Sequence, residues 1–199
     1  MISAENVTVR FGDHIVLDGK DFAAPAGAIS GIYGRSGTGK TTLLRVLAGL
    51  RRPDAGTVRF DGGAAAPAGS IAMLDQHPRL VCNPRWTLTR IITEPGDIAD
   101  RPVDPVSFAE RTGLGRDLLS RYPSQVSDGQ LQRACLARAL VQHPRYLMCD
   151  EPTAMLDPIA SADVVAMLRS VAAAGTGIVL VSHDPDIIDE LCSTTTELR

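Results

Sequence analysis

The sequence has no surplus of basic charge, no paired cysteines, no apolar run of membrane-spanning length and no internal repeat. Each absence removes a class of function. Its 20 lysines and arginines are outnumbered by 23 aspartates and glutamates, for a formal net charge of −3. Proteins bind a nucleic-acid backbone by neutralising its phosphates with Lys and Arg, so no nucleic-acid partner is expected. The four cysteines, Cys82, Cys135, Cys149 and Cys192, form no Cys-x-x-Cys pair and have no histidines at metal-ligand spacing. They read as reduced thiols of a cytosolic protein. The N-terminus shows no basic stretch leading into an apolar segment, so no signal peptide is expected. No run of roughly 18 apolar residues occurs, and membrane association is expected only through a partner. With 199 residues, 44% of them hydrophobic and 22% charged, the chain suits one soluble domain over residues 1–199 with a small insertion.

What is present is a pattern of strands alternating with helices. Val7, Val9 and Phe11 alternate with polar residues, and Ile15 to Phe22 forms a second strand-like stretch. Ala28 to Tyr33 is apolar and leads into glycine. From Lys40 onward, Leu43, Leu44, Val46, Leu47 and Leu50 predict a buried helix closed by Gly49 and Pro53. Two strands are expected at 57–60 and 70–74, and a Gly/Ala/Pro-rich loop at 62–69. Between about 77 and 126 the texture changes to clustered prolines and short helical patterns, an inserted, mostly helical subdomain. The alternation then resumes: a helix over 129–141, a strand over 146–149, a helix over 159–173, a strand over 178–181 and a short helix over 185–191. Residues 194–198 suit a closing edge strand. Such alternation argues for an α/β fold with a mainly parallel sheet covered on both faces.

The chemistry sits at the ends of these elements. Gly34-Arg35-Ser36-Gly37-Thr38-Gly39-Lys40-Thr41 fits G-x-x-x-x-G-K-[ST], the phosphate-binding loop. Its glycines let backbone N–H groups turn toward phosphate oxygens, and the following helix adds the positive end of its dipole. Lys40 suits the β- and γ-phosphates, and the Thr41 hydroxyl a magnesium ion. Tyr146 to Glu151 is an apolar strand ending in two acids, at the sheet edge where ligands bind. Asp150 suits a second magnesium anchor and Glu151 a general base for water. Ser127-Asp128-Gly129-Gln130 opens a helix; it offers either an anion site or merely a helix cap. His183 follows a buried strand and is placed either as a structural residue or to touch a γ-phosphate.

Taken together and in this order, these residues resemble the nucleotide-binding domain of the ATP-binding-cassette family over nearly the whole chain. The resemblance implies a phosphate-loop NTPase fold with a mainly parallel sheet, an N-terminal antiparallel β portion and the inserted helical subdomain. It assigns Phe11 to stacking on adenine, residues 34–41 and the adjoining Thr42 to the triphosphate, and Gln76 to the magnesium ion and to sensing a membrane subunit. Val126 to Gln130 is similar to the family's Leu-Ser-Gly-Gly-Gln signature, with Ser127, Gly129 and Gln130 as its binding residues. Glu151 matches the catalytic glutamate, His183 the switch histidine, and Ala154-Met155-Leu156-Asp157 the loop that links two domains. Residues 83–88, 91–95 and 121–123 resemble peptide and nickel importers.

The family's mechanism implies two cassettes, identical or different, that sandwich ATP and Mg2+ head to tail on the cytoplasmic face of the cell membrane. They would drive transmembrane permease subunits that contact the segment from Gln76 to Pro95. Three departures stand out: Val126 replaces leucine, the chain stops soon after His183, and Asp128 replaces the first signature glycine. The last puts a carboxylate where a γ-phosphate is expected. A non-catalytic nucleotide-binding cassette module and a soluble cassette ATPase uncoupled from transport are the alternatives left open.

Overall fold

The computed structural model describes residues 1–154 and 156–198. The chain opens with two long strands, β1 (Ile2–Phe11) and β2 (His14–Ala24), followed by β3 (Ile29–Gly34) and helix α1 (Lys40–Leu47). Strands β4 (Ala55–Phe60) and β5 (Ile71–Leu74) come next. Helices α2 (Pro78–Val81), α3 (Leu88–Ile98) and α4 (Pro105–Arg111) and two 3-10 turns (Arg116–Leu118, Pro123–Gln125) fill the segment read as an insertion. The α/β alternation then returns with α5 (Asp128–Val141), β6 (Tyr146–Asp150), α6 (Pro158–Ala173), β7 (Gly177–Val181), α7 (Pro185–Leu191) and β8 (Thr194–Leu198).

Five strands form a parallel sheet in the order β5-β6-β7-β3-β8, and three form an antiparallel sheet in the order β2-β1-β4. This is the phosphate-loop NTPase architecture expected from the sequence. Every residue of β6 and β7 is buried, as a parallel sheet covered on both faces requires. Successive side chains alternate between two cores. Leu147, Cys149, Ile178 and Leu180 pack with α5, α6 and the helical insertion. Tyr146, Met148, Val179 and Val181 pack with α1 and the antiparallel sheet. The sheet is therefore the partition between the two halves of the molecule, and its C-terminal edge carries residues from both.

Two sequence expectations change. Val7 and Val9 are fully buried, but Phe11 is 52% exposed. Register shifts at Val7, Val9 and Arg10 break the simple alternation. Leu50 lies outside α1 and is 68% exposed. The helix ends at Leu47, where Gly49 (φ 72) lets its own N–H donate to Val46 O and that of Leu50 to Arg45 O, a Schellman closure.

Candidate functional site

The loop between β3 and α1 is built almost entirely from its own backbone. Gly34 ends β3 beside Leu198, and a Cβ there would stand 2.2 Å from the Leu198 carbonyl oxygen. Gly39 has φ +92, and a Cβ on it would meet Leu17 and Val16 side chains at 2.9 Å. Only glycine fits either position without displacement. The Thr38 hydroxyl donates to Arg35 O at 2.9 Å, and Lys40 Nζ donates to Gly34 O at 2.8 Å and Arg35 O at 2.9 Å. The buried ammonium is thus held beneath the loop by two carbonyls.

A cavity of about 530 Å3 opens beside this loop. Its lining brings together the predicted Ser36, Gly37, Gly39, Lys40, Thr41, Thr42, Gln76, Glu151 and His183. Val16 of β2 also lines it, an apolar wall that nothing in the sequence had marked. Phe11 is not among the lining residues. Its ring is covered by the Arg51 guanidinium at 4.0 Å from the centroid, a cation–π contact on the face of an exposed ring.

The acids stand at the C-terminal end of β6; Glu151 lines the cavity, and Asp150 meets it through Thr41. Asp150 is 7% exposed and accepts a 3.2 Å hydrogen bond from the Thr41 hydroxyl. Burial pushes its carboxyl above the usual range; the Thr41 bond opposes this, and the charges of Glu151 and Asp75 add to it. The Thr41 hydroxyl, the Asp150 carboxylate and the Gln76 amide each carry an oxygen of the kind a hard cation such as Mg2+ takes, and Thr41 touches Asp150 and shares the cavity lining with Gln76. A partly desolvated carboxylate with like charges nearby is a site whose ionised form such a cation favours.

Glu151 leaves the strand with φ +44 while its N–H donates to Val181 O at 2.9 Å. The left-handed region costs an L-residue about 1–2 kcal/mol, so the surrounding contacts must hold it there. The result brings Glu151 Oε2 to 2.8 Å from His183 Nδ1 and 3.4 Å from Gln76 Nε2. Gln132 of α5, 2% exposed, donates to the carbonyls of Asp75 and Pro152 at 3.3 Å each. It pins the neighbours of both Gln76 and Glu151, and a glutamine on the apolar side of a helix was the available signal for it.

Ser127, Gly129 and Gln130 lie at the start of α5 and do not line this cavity. Ser127 Oγ accepts from Gln130 N at 3.1 Å and Gln130 Oε1 accepts from Ser127 N at 2.9 Å, a reciprocal capping box. Asp128 turns to Arg79: Nε of Arg79 donates to Asp128 Oδ1 at 2.6 Å. The same guanidinium donates to Pro123 O at 2.7 Å and Val126 O at 3.0 Å. Arg79 was invisible as a partner because it precedes Asp128 by 49 positions. Of the predicted linking loop, Met155 lies outside the described residues, and Asp157 caps α6 through the N–H groups of Ile159 and Ala160.

A family model described as ABC transporter matches residues 17–154. Among curated proteins, the methionine import ATP-binding protein MetN of Caulobacter vibrioides is 34% identical over 209 residues, covering 96% of this chain and 62% of that protein. MetN 2 of Salmonella paratyphi A is 38% identical over 213 residues, with the same two coverages. MetN of Brucella abortus is 34% identical over 203 residues, covering 94% of this chain and 54% of that protein. The chain thus spans between about half and three-fifths of the length of these relatives. Among solved structures, a dimeric ATP-binding cassette in a post-hydrolysis state bound to ADP and Pi superposes with a TM-score of 0.87 at 23% identity, covering 100% of this chain and 94% of that one. A nucleotide-free ATP-binding cassette from an ABC transporter gives 0.86 at 22% identity, covering 100% and 87%. At those identities the likeness concerns the fold. On the family match over residues 17–154, the chain belongs to the ABC transporter family.

Proposed function

We propose that this chain is the ATP-binding and ATP-hydrolysing subunit of a membrane importer, acting as one of two cassettes on the cytoplasmic face of a membrane. The observation that carries the reading is Glu151. Its carboxylate meets His183 at 2.8 Å and Gln76 at 3.4 Å in a cavity that also presents Lys40 and Thr41. The loop N–H groups and Lys40 would take the triphosphate, the ammonium exchanging its two carbonyl partners for phosphate oxygens. Glu151 would accept a proton from the attacking water while His183 holds the carboxylate's direction. A magnesium ion held by Thr41, Asp150 and Gln76 would neutralise charge developing on the phosphates.

The second half of each site would come from the Ser127–Gln130 segment of another cassette, and permease subunits would bind along residues 76–95. That segment leaves Leu80 81% exposed and Ile98, just beyond it, 80% exposed, apolar side chains suited to a protein partner. No helix of the described residues is long and apolar enough to cross a membrane, consistent with membrane attachment through such subunits. For cargo, the 83–95 segment favours peptide or nickel, whereas the relatives matched over 94–96% of this chain are named for methionine import. The longer match carries more weight, so methionine or a similarly small solute is the first cargo to test. A non-catalytic module was suggested by the charge of Asp128 alone, and Arg79 offsets that charge.

Mg-ATP turnover of the wild type and Glu151→Gln tests the reading. The glutamine variant should lose at least about 100-fold in kcat while still binding nucleotide. Equal turnover would remove Glu151 from its role.

A further inference from the structure

Asp128 occupies the first turn of α5, and on the proposed function this turn faces the triphosphate held by another cassette. An α-helix leaves its first N–H groups without intrahelical partners. Here the capping box takes those of Ser127 and Gln130, so the helical geometry leaves the N–H groups of Asp128 and Gly129 for a ligand. A free carboxylate at Asp128 would repel an anion from those same groups. Arg79 removes that obstacle by pairing with the carboxylate at 2.6 Å, and the bonds it donates to Pro123 O and Val126 O hold the guanidinium in place to do so. Both side chains are 45% exposed, and an isolated exposed ion pair contributes little stability. A guanidinium forked onto three acceptors is a different object, because it fixes a direction as well as a charge.

We propose that Arg79 is a positioning residue of the composite ATP site. By pairing with Asp128, its guanidinium aimed by the carbonyls of Pro123 and Val126, it makes a signature that carries an acid competent to face a partner's triphosphate. This rests on the composite-site reading above. It adds a residue lying three positions after Gln76, outside every motif in the sequence.

A double-mutant cycle on the full chain separates charge compensation from simple bracing. Parent, Arg79→Ala, Asp128→Gly and the double variant are prepared in a Glu151→Gln background. Their ATP-dependent dimerisation is measured by sedimentation, alongside titration of each with a fluorescent ATP analogue. Arg79→Ala should weaken dimerisation about 10-fold or more, the scale of one lost hydrogen bond to a charged group. Asp128→Gly should dimerise at least as well as the parent, and the double variant should return to within about twofold of Asp128→Gly. The double variant also lacks the two carbonyl contacts, so a failure of folding or bracing would persist in it. Unchanged dimerisation of Arg79→Ala, or a double variant as weak as Arg79→Ala, overturns the proposal. If instead the parent binds the analogue but does not dimerise with ATP, the composite-site reading fails, and the role of Arg79 falls with it.

Discussion

The loop at residues 34–41 and the helix start at residues 127–130 are both backbone cradles at a helix N-terminus, but they are stabilised over different distances. In the loop, Thr38 and Lys40 satisfy carbonyls no more than six positions away. Its one long-range hydrogen bond among these side chains is Thr41 to Asp150. The helix start has a local cap as well, yet its odd residue, Asp128, is matched by Arg79 from 49 positions upstream. In the loop, Gly34 and Gly39 tolerate little change, because the chain packs too closely against each for a Cβ. A motif completed by a distant side chain tolerates a substitution that its partner can answer.

The sharpest way to break this comparison is Lys40→Ala. If the loop is self-contained, nucleotide binding by the monomer should fall about 100-fold, two charge-assisted contacts to phosphate being lost. Arg79→Ala should leave that monomeric affinity within about twofold, since it acts on the other half-site. Titration with a fluorescent ATP analogue reads both. A large loss in Arg79→Ala would mean that the two cradles are coupled within one chain, and the contrast between them would collapse.

The same contrast explains which parts were legible. The loop, the acid-tipped strand and the alternating elements are written in local spacing, so the parallel sheet and its edge could be read directly. β7 begins one residue before the expected 178–181, and β8 and α7 are placed at the expected bounds. Phe11 shares the alternation of Val7 and Val9 in the sequence, but the strand's register is irregular there, and the ring lies exposed under Arg51. Arg79, Val16 and Gln132 escaped notice for a related reason. Each acts through a tertiary contact to residues far along the chain, and no spacing rule marks such a pairing.

A smaller effect is expected at Ser127. The hydroxyl caps α5 and also stands in the proposed trans half-site. Losing the cap costs about 1 kcal/mol, which in a chain of this size lowers Tm by about 2–4 °C. Ser127→Ala should therefore melt slightly earlier, bind the ATP analogue as the monomer does, and dimerise less well. Ser127→Asp keeps the cap and adds a carboxylate with no Arg79 to answer it. Recovery of Tm without recovery of dimerisation would separate the structural from the functional share of this residue.

The smallest expected change lies at the junction of loop and sheet, and its sign is opposite. Burial raises the Asp150 carboxyl above the ordinary aspartate value. Below that value the group is protonated in both folded and unfolded chains and costs nothing. As pH rises from there to the raised folded value, the unfolded chain ionises first and the native state must then ionise a buried acid facing Glu151 and Asp75, an effect that Arg45 offsets in part. The resulting destabilisation then stays constant at higher pH. Asp150→Asn removes that cost while its amide oxygen can still accept from Thr41. The variant should melt above the wild type at pH 7, by about 1–3 °C for a gain near 0.5–1 kcal/mol, and the gain should vanish near pH 3.5. Mg-ATP should invert the order, because the carboxylate that weakens the free protein is the one proposed to hold the cation, and ligand binding to the native state adds stability. Melting curves at two pH values, with and without Mg-ATP, carry the test. If Asp150→Asn melts lower at pH 7, Asp150 stabilises the fold, and the loop's one long-range tie is structural before it is catalytic.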